Sequence, residues 1–496
     1  MTVSHARRRL VLMPRISFLS RNDIEDIHAA SLEVLEGTGV LVKNPNAVEL
    51  LERAGCRVEA QVVHIPPSLV EDCLKKAPSS IGLHMRDGGS KLKVGGDNVI
   101  YNPGSAVIYF LDRDTGEMRR VLTRDLVQLV KLVDALEYVH AQSTAIVPAD
   151  VPDAISDLYR LYIILKNSSK PIVTGAFTKA GLIDMKRMLE AVVGGPEELA
   201  NAPRAIFDVC PSSPLMWSDV TCQNLIDCAM YGIPAEIISA PQMGATSPVS
   251  IAGTLVQINA EFLSGFVISQ TVMPGAPVVY GGSPVAFDMR HLTAPDGAVE
   301  TMIATCAAAE IGKYYGLPTH AYLGLSDSKV VDAQTGFESG LGLFLAALAR
   351  VNIVSGPGML ATENCQSLEK LVIDNEICGM AYRLVDGVSL GGSALATEII
   401  AKVGPGGHFL AEKHTRENLM REQFMPSDVF SRLTPDSWRK SGSKNTVDRA
   451  KEIVDKLLTD HVPKPLPLDA EERLDHVFKE ILARHGLPQP PVASKV

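Results

Sequence analysis

The sequence predicts an α/β protein, a (β/α)₈ TIM barrel with helical additions at its N-terminal and C-terminal ends. From about residue 98 onward, eight short apolar runs alternate with eight stretches of helical periodicity, which is the element count of such a barrel. The runs are apolar on both faces, as a parallel sheet covered by helices requires. The chain of 496 residues is also long enough to carry flanking segments.

The predicted strands are short runs rich in β-branched and aromatic residues. They span residues 98–101, 140–147, 171–177, 204–209, 234–239, 277–282, 319–324 and 352–356. A doubly wound open sheet is the rival fold, and as a dinucleotide domain it would carry a G-x-G-x-x-G turn after its first strand. No such turn follows residue 101, so we favour the barrel.

Helices are predicted between and after these strands. The helical stretches lie near 124–138, 154–166, 181–193, 218–231, 253–272, 297–315, 336–350 and 366–386. In the first of them Leu126, Leu129, Val130 and Val133 fall on one helical face, which we expect to be buried. Residues 106–121 follow the first strand and predict a β-hairpin with its turn near residues 112–116.

Three segments are expected along the chain. A mainly helical N-terminal extension covers residues 1–95, the catalytic barrel covers 96–440, and a C-terminal helical tail covers 441–496. In the extension, Ser20 followed by Asp23 predicts one helix N-terminus, and Pro67 suits the first turn of another. The tail contains two predicted helices, near 447–458 and 470–483.

Composition restricts the functional classes. The net charge of −10 disfavours nucleic-acid or membrane-surface binding. The N-terminal residues lack the apolar run of a secretory signal, and no run of about 18 apolar residues predicts a membrane span. The 8 cysteines are scattered without a C-x-x-C spacing. We therefore expect a reduced, cytoplasmic protein.

Barrel active sites lie at the C-terminal ends of the strands, and three polar residues near these ends are catalytic candidates. Asp208 and Glu236 lie within apolar strands, where a carboxylate is either hydrogen-bonded structure or part of a site. His320 is either a satisfied core histidine or a functional one. The residue types leave both interpretations open.

Aromatic residues near the same strand ends suggest a cation-binding cage, because aromatic faces attract quaternary ammonium groups. The candidates are Trp217, Tyr280, Phe287 and Tyr322, with ordinary packing as the alternative. Glycine-rich segments at 280–284, 322–328 and 355–360 would let a bulky partner approach the backbone.

Several chemistries lack their usual sequence patterns. There is no H-E-x-x-H, paired-cysteine or P-loop pattern, so no metal is expected. A Schiff-base lysine is conceivable at Lys170 or Lys329, although both have polar, solvated neighbours. Composition and spacing therefore leave the reaction open.

Four segments carry a more specific signal: 16–40, SDSKVVDAQTGFES at 326–339, NIVSGPGML at 352–360 and GPGGHFLAEKHTREN at 404–418. Together they resemble the trimethylamine methyltransferase family of corrinoid-dependent enzymes. The similarity runs from about residue 15 to about residue 480. It implies a TIM-barrel enzyme that transfers a methyl group from an amine.

Archetypal members of that family act on trimethylamine and carry pyrrolysine, which would be expected near residues 330–334. This sequence has only the twenty standard residues, and it is therefore more similar to the non-pyrrolysine branch. That resemblance implies a quaternary amine substrate, with glycine betaine first; proline betaine, carnitine or trimethylamine are the alternatives. The methyl acceptor would be the Co(I) of a corrinoid (cobalamin) on a separate protein, with no cofactor bound tightly by this chain.

The resemblance also implies roles for individual residues. Arg290 or His320 would bind the carboxylate of the substrate. The corrinoid-facing rim would be formed by Ser326, Asp332, Gln334, Glu338, Gly356, Gly358 and His408. A homo-oligomer is expected, since large barrels commonly associate. The rival classes are a Schiff-base lyase barrel and a non-catalytic betaine-binding protein.

Overall fold

A computed structural model describes residues 13–390 and 394–487, and the eight predicted strands form one parallel sheet within it. We number them β1 to β8: Ile100–Asn102, Gln142–Ser143, Ile172–Thr174, Ala205–Val209, Ala235–Ser239, Val278–Gly282, Thr319–Tyr322 and Ile353–Ser355. Their order in the sheet is β1-β8-β7-β6-β5-β4-β3-β2. The backbone N–H of His140 donates to Tyr101 O (2.9 Å), and that of Val107 donates to Ala145 O (2.9 Å). These bonds bring β1 and β2 together at the edges of the sheet, which confirms the barrel.

A long helix follows each strand, as predicted, and a short additional helix, Pro196–Asn201, precedes β4. The helices α1 to α8 are Thr123–Ala135, Ser156–Asn167, Lys179–Val193, Asp219–Tyr231, Ile251–Val272, Val299–Tyr314, Ala333–Leu348 and Leu368–Asp386. In α1 the predicted apolar face is buried at Leu126, Leu129, Val130 and Val133. The helices therefore cover the outer face of the sheet with apolar side chains.

The helix α5 is long and apolar enough to cross a membrane by length and composition alone. Its surface is nevertheless covered, because α4, α6 and the N-terminal helices all contact it. In its most apolar window, 78% of the residues are buried inside the protein. It is a core helix of the barrel's outer layer.

The N-terminal extension contains the helices Arg21–Glu33, Pro45–Arg53 and Pro67–Leu74. Ser20 and Asp23 cap the first helix reciprocally, as the sequence predicts. The extension also has five short strands, at Val40–Val42, Arg57–Glu59, Val62–His64, Ser80–His84 and Lys91–Gly95. The expectation of a mainly helical extension is therefore incomplete, since strands of three to five residues carry little periodicity. The strand Val40–Val42 pairs with Met216–Trp217 and attaches the extension to the barrel.

The predicted hairpin after β1 is present as the antiparallel strands Tyr109–Leu111 and Met118–Arg120. Its first strand pairs with Cys365–Gln366, which in turn pairs with Met359–Leu360 after β8. The hairpin is thereby joined to the loop that follows the last strand, at the C-terminal face of the barrel.

Beyond α8, three short helices occupy Thr397–Val403, Lys413–Glu422 and Pro435–Lys440. The two predicted tail helices are present as Thr446–Asp460, which contacts α8 and α1, and Leu468–Arg484, which contacts α3 and α2. Phe478 stacks on Tyr162 of α2 with ring centroids 4.1 Å apart. The tail is thus packed onto the barrel, and the predicted domain boundaries stay predictions.

Candidate active site

Asp208 and Glu236 lie side by side on neighbouring strands. They are paired in the parallel register of β4 and β5, and Asp208 Oδ1 and both carboxyl oxygens of Glu236 are buried without a hydrogen-bond partner. Burial and the charge of Asp208 raise the pKa of Glu236 well above its usual range. Burial also raises the pKa of Asp208 to about 6, while Glu236 and the Arg160 guanidinium act in the opposite direction. The protonated form of Glu236 is therefore favoured beside Asp208. We call these two residues the inner carboxyl pair.

His320 faces the same interior from β7. Its Nε2 lies 2.9 Å from Ser355 Oγ on β8 and 3.9 Å from Glu236 Oε1. Asn102 Nδ2 at the end of β1 donates to the same serine hydroxyl (2.9 Å). Burial lowers the pKa of His320 to about 3, so the imidazole is neutral. Its Nδ1 is buried without a hydrogen-bond partner.

Tyr322 places an aromatic ring beside these groups. Its ring meets His320 edge-on, with centroids 5.0 Å apart and an interplanar angle of 84°. Burial, first, and the charges of Asp208 and Glu363 raise the pKa of Tyr322 well above its usual range. The interior end of the site thus combines a neutral phenol, a neutral imidazole and the inner carboxyl pair. Of the four predicted aromatic residues, Tyr322 is the one that lies beside this pair.

A cavity of about 520 Å³ lies among the loops that follow β5, β6, β7 and β8. This is the C-terminal face, where barrel enzymes place their active sites. Its polar lining includes Gln242, Ser283, Asp296, Lys329, Thr362 and Glu363. Its volume is typical of sites that bind small molecules.

Two further carboxyl groups line this cavity, and we call Asp296 and Glu363 the outer carboxyl pair. Asp296 is only 8% exposed, and its Oδ2 has no hydrogen-bond partner. Glu363 Oε1 is buried without a partner as well. Burial and the charge of Glu363 raise the pKa of Asp296 well above its usual range, and burial raises the pKa of Glu363 to about 7. Each acid is therefore poised to ionise if a cation arrives.

A left-handed turn presents Glu363 to the cavity. Ala361, Thr362 and Glu363 have φ values of 54°, 57° and 55°, which non-glycine residues adopt rarely and at a cost of about 1–3 kcal/mol each. The Asp327 carboxylate secures this turn, since it accepts from Thr362 Oγ1 (3.2 Å) and from the backbone N–H of Asp296 (2.9 Å). One side chain thus connects the loops after β6, β7 and β8.

Neither member of the outer pair is evident from the sequence. Glu363 lies in the segment after β8, but the left-handed turn that presents it depends on contacts with Asp327 from another loop. Asp296 lies 14 residues beyond the end of β6, too far for a strand-end argument. The remaining signal is the Pro-Asp-Gly sequence at 295–297, which indicates a turn and not a binding site.

Two predicted cage residues face the helix layer instead of the cavity. Trp217 is fully buried, packs against α5 at Gly265, and donates its indole N–H to Ser264 Oγ (2.9 Å). Tyr280 is fully buried on β6 and packs on Phe262 of α5, with centroids 4.2 Å apart. Their predicted substrate contacts are therefore wrong, because both side chains fill the space between sheet and helices.

The loop after β6 places Phe287 and Arg290 outside the inner site. Phe287 is half-buried, and Arg290 is exposed. Arg290 forms an ion pair with Asp288 (2.6 Å), which removes it as a free donor for a substrate carboxylate. His320 is a weak candidate for that role too, since its imidazole is neutral.

The residues assigned to a corrinoid-facing rim mostly stabilise their own loop. Glu338 accepts from Ser326 Oγ (2.7 Å), from Asp327 N (2.9 Å) and from Gln334 Nε2 (2.8 Å). Asp332 caps the N-terminus of α7 by accepting from Thr335 N (3.1 Å). These contacts hold the segment in place but leave few of its polar groups free.

Gly356, Gly358 and His408 also differ from their predicted roles. A Cβ atom on Gly356 would lie 2.3 Å from Leu323 O, and one on Gly358 would lie 2.4 Å from Gln366 Nε2. Both glycines therefore serve close packing within the protein. His408 is exposed in the segment between the helices Thr397–Val403 and Lys413–Glu422.

The two candidate Schiff-base lysines differ in their surroundings. Lys170 precedes β3, at the opposite end of the barrel from the cavity, and donates to the carbonyls of Val133 (2.6 Å), Leu136 (2.5 Å) and Val139 (2.5 Å). Burial lowers its pKa to about 8, but its contacts are those of a structural residue, and it is not solvated as expected. Lys329 is exposed and lines the cavity.

Comparison with known proteins agrees with the resemblance in the sequence. The model of the family described as trimethylamine methyltransferase matches residues 3–482. The trimethylamine methyltransferase MttB of Desulfitobacterium hafniense DCB-2 is 33% identical over 94% of both chains. The glycine betaine methyltransferase of strain Y51 is 33% identical over 96% of this chain and 98% of its own. The MttB of Methanosarcina thermophila is 34% identical over 92% and 95%, respectively.

Proposed function

The chain belongs to the trimethylamine methyltransferase family and is a methyltransferase, and from this premise we propose that it demethylates a quaternary amine, with glycine betaine as the preferred substrate. The products would be a methylated corrinoid on a separate protein and the tertiary amine. A relative named for glycine betaine and others named for trimethylamine match at nearly the same identity. The choice between those substrates therefore rests on the site of this chain.

The observation that carries the proposal is the set of buried carboxyl groups at the C-terminal face. Asp208, Glu236, Asp296 and Glu363 each have at least one side-chain oxygen that is buried without a hydrogen-bond donor. Unpaired buried acids are costly and favour a cationic ligand. A quaternary ammonium group has no N–H to donate, so it interacts through charge and through aromatic faces such as that of Tyr322.

The chemistry requires little from acid or base groups. The N–CH₃ bond breaks, its electron pair stays on nitrogen, and the amine leaves as a neutral tertiary amine. A corrinoid carried by a partner protein would supply the Co(I) nucleophile. The work of this chain is then to hold the ammonium group in one orientation within a cavity shielded from water.

The rim of the cavity suits a docking partner of this kind. Met289 and Leu292 in the loop after β6 are 63% and 75% exposed, and Val330 and Phe337 after β7 are 49% and 68% exposed. Exposed apolar patches of this sort mark interaction sites. These side chains support the proposed approach of a corrinoid protein to the C-terminal face. A cytoplasmic location and a homo-oligomeric state belong to the same proposal.

An anaerobic assay with chemically reduced cob(I)alamin tests the proposal. The protein is mixed with glycine betaine, proline betaine, carnitine, choline or trimethylamine, and methylcobalamin is followed by absorbance. We expect methylation with glycine betaine and release of dimethylglycine. Methylation with trimethylamine alone would contradict the proposal. A silent panel, repeated with a corrinoid protein and still silent, would also contradict it.

A further inference from the structure

Charged groups are segregated within the cavity. Lys329 is the cationic side chain in its lining, and the outer carboxyl pair supplies the acidic ones. Lys329 Nζ donates to the backbone carbonyl of Asp327 (2.8 Å). Within the part of the chain that the structure describes, Lys329 forms no ion pair with a carboxylate.

The absence of that ion pair has a structural reason. The Asp327 carboxylate is the acid nearest to Lys329 in sequence. It already accepts hydrogen bonds from Asp296 N, Gly297 N and Thr362 Oγ1. The lysine therefore keeps donors available at the cavity although three carboxyl groups lie on the loops around it: Asp296, Asp327 and Glu363.

The acidic side of the cavity also has carboxyl oxygens that accept no hydrogen bond. Asp296 is nine-tenths buried and keeps Oδ2 without a donor, and Glu363 keeps Oε1 without a donor. These two oxygens and the Lys329 ammonium belong to the lining of the same cavity. A ligand that is cationic at one end and anionic at the other would satisfy all three groups.

We propose that the cavity binds its substrate as a zwitterion, with Asp296 and Glu363 facing the quaternary ammonium group and Lys329 binding the carboxylate. This inference rests on the proposed function and specifies which quaternary amines are accepted. Arg290 is paired with Asp288 and His320 is neutral, so Lys329 takes the role that the sequence analysis gave to those residues. A quaternary amine without a carboxylate would add a second cation beside an unpaired lysine, which is unfavourable.

Ligand binding without any corrinoid tests the inference separately from catalysis. Titration calorimetry compares glycine betaine with choline, which has a hydroxyl in place of the carboxylate. We expect glycine betaine to bind the unaltered protein at least about tenfold more tightly than choline, since a hydrogen bond to a charged group is lost. Lys329→Met should weaken glycine betaine binding by about tenfold or more and leave choline binding unchanged or tighter.

Three further variants complete the test. Lys329→Arg keeps the charge and should retain most of the affinity for glycine betaine, which shows that the site is intact. Glu363→Gln should weaken both ligands, because both carry the ammonium group. Lys413→Met, on an exposed helix with the lysine side chain 79% exposed, should change neither.

The zwitterion proposal would be overturned if Lys329→Met lost the same affinity for both ligands, or if the unaltered protein bound both ligands equally well. Methyl transfer from a quaternary amine would still support the proposed function in that case. If neither ligand bound and the assay with cob(I)alamin were also silent, both proposals would fail together.

Discussion

Single side chains set the protonation of this site. Burial keeps His320 neutral and favours the protonated form of Glu236 beside Asp208. The buried Arg160 guanidinium opposes the effect of burial on the pKa of Asp208. Glu363, with a pKa raised to about 7, is the acid that titrates nearest neutral pH.

Substrate affinity should depend on pH through Glu363. A cation is bound best by the ionised carboxylate, so the Kd for glycine betaine should fall as the pH rises from about 6 to about 8, by at most about tenfold per unit. Glu363 interacts electrostatically with Asp296, Tyr322 and Cys210, and the pKa values of all three groups are raised. Calorimetry at several pH values measures the slope.

Glu363→Gln is the control for this dependence. The variant should bind glycine betaine more weakly and with nearly the same Kd across the range. An unaltered slope in the variant would assign the titration to another group and remove Glu363 from the account.

Trp217→Ala separates packing from binding. The buried indole packs on α5 and donates to Ser264, so its removal should lower the free energy of unfolding by about 3–5 kcal/mol. The Kd for glycine betaine should stay the same in the fraction of the protein that remains folded. Trp438, the other tryptophan of the chain, is unaltered in this variant, and its fluorescence reports that fraction. A Kd raised tenfold would restore Trp217 to the site.

At the level of residues, the sequence indicates which side chains lie near strand ends but not the direction in which each side chain points. Asp208, Glu236, His320 and Tyr322 come together because parallel strands place their C-terminal ends at one face. Tyr280 lies on an equivalent strand but points towards α5. Which face a residue occupies depends on strand register, and a short strand that is apolar on both faces does not reveal it.

At the level of elements, α8 holds the loops that form the cavity. Lys370 and Asp374 are fully buried in α8 and form an ion pair (2.5 Å). Lys370 Nζ also donates to Gly324 O after β7 (3.0 Å), and Asp374 Oδ2 accepts from Gly358 N after β8 (2.7 Å). One pair of side chains thereby fixes the positions of two loops.

Lys370→Met should be strongly destabilising, because it leaves the Asp374 carboxylate buried without its cation. Breaking a buried pair in this way costs about 3–5 kcal/mol, and chemical denaturation measures the loss. The double variant Lys370→Met, Asp374→Leu should recover part of it, since no unpaired charge remains. A single variant as stable as the unaltered protein would contradict this role of the pair.

Elements were predictable in proportion to their length and periodicity. All eight barrel helices and their strands follow from apolar patterns that repeat around the barrel. The short strands of the N-terminal extension, such as Val40–Val42, are formed by pairing with distant segments. Such tertiary pairing leaves no periodic signal in the sequence.

At the scale of the whole molecule, the extension and the tail both pack on the barrel's helix layer, the extension on α5 and the tail on α1, α2, α3 and α8. The C-terminal face keeps the cavity, which the outer carboxyl pair lines, and an exposed apolar rim. This arrangement suits the proposed binding of a small cation in the cavity and the proposed approach of a methyl acceptor to the same face.

The most direct measurement of this account follows the methyl group itself. Glycine betaine labelled with ¹³C in its N-methyl groups is incubated anaerobically with the protein and cob(I)alamin, and the products are observed by NMR. The account predicts labelled methylcobalamin and labelled dimethylglycine in equal amounts, with no reaction when the protein is omitted. The opposite result would be that glycine betaine stays unchanged in the presence of a corrinoid protein while another amine loses its methyl group. That result would contradict the proposed function.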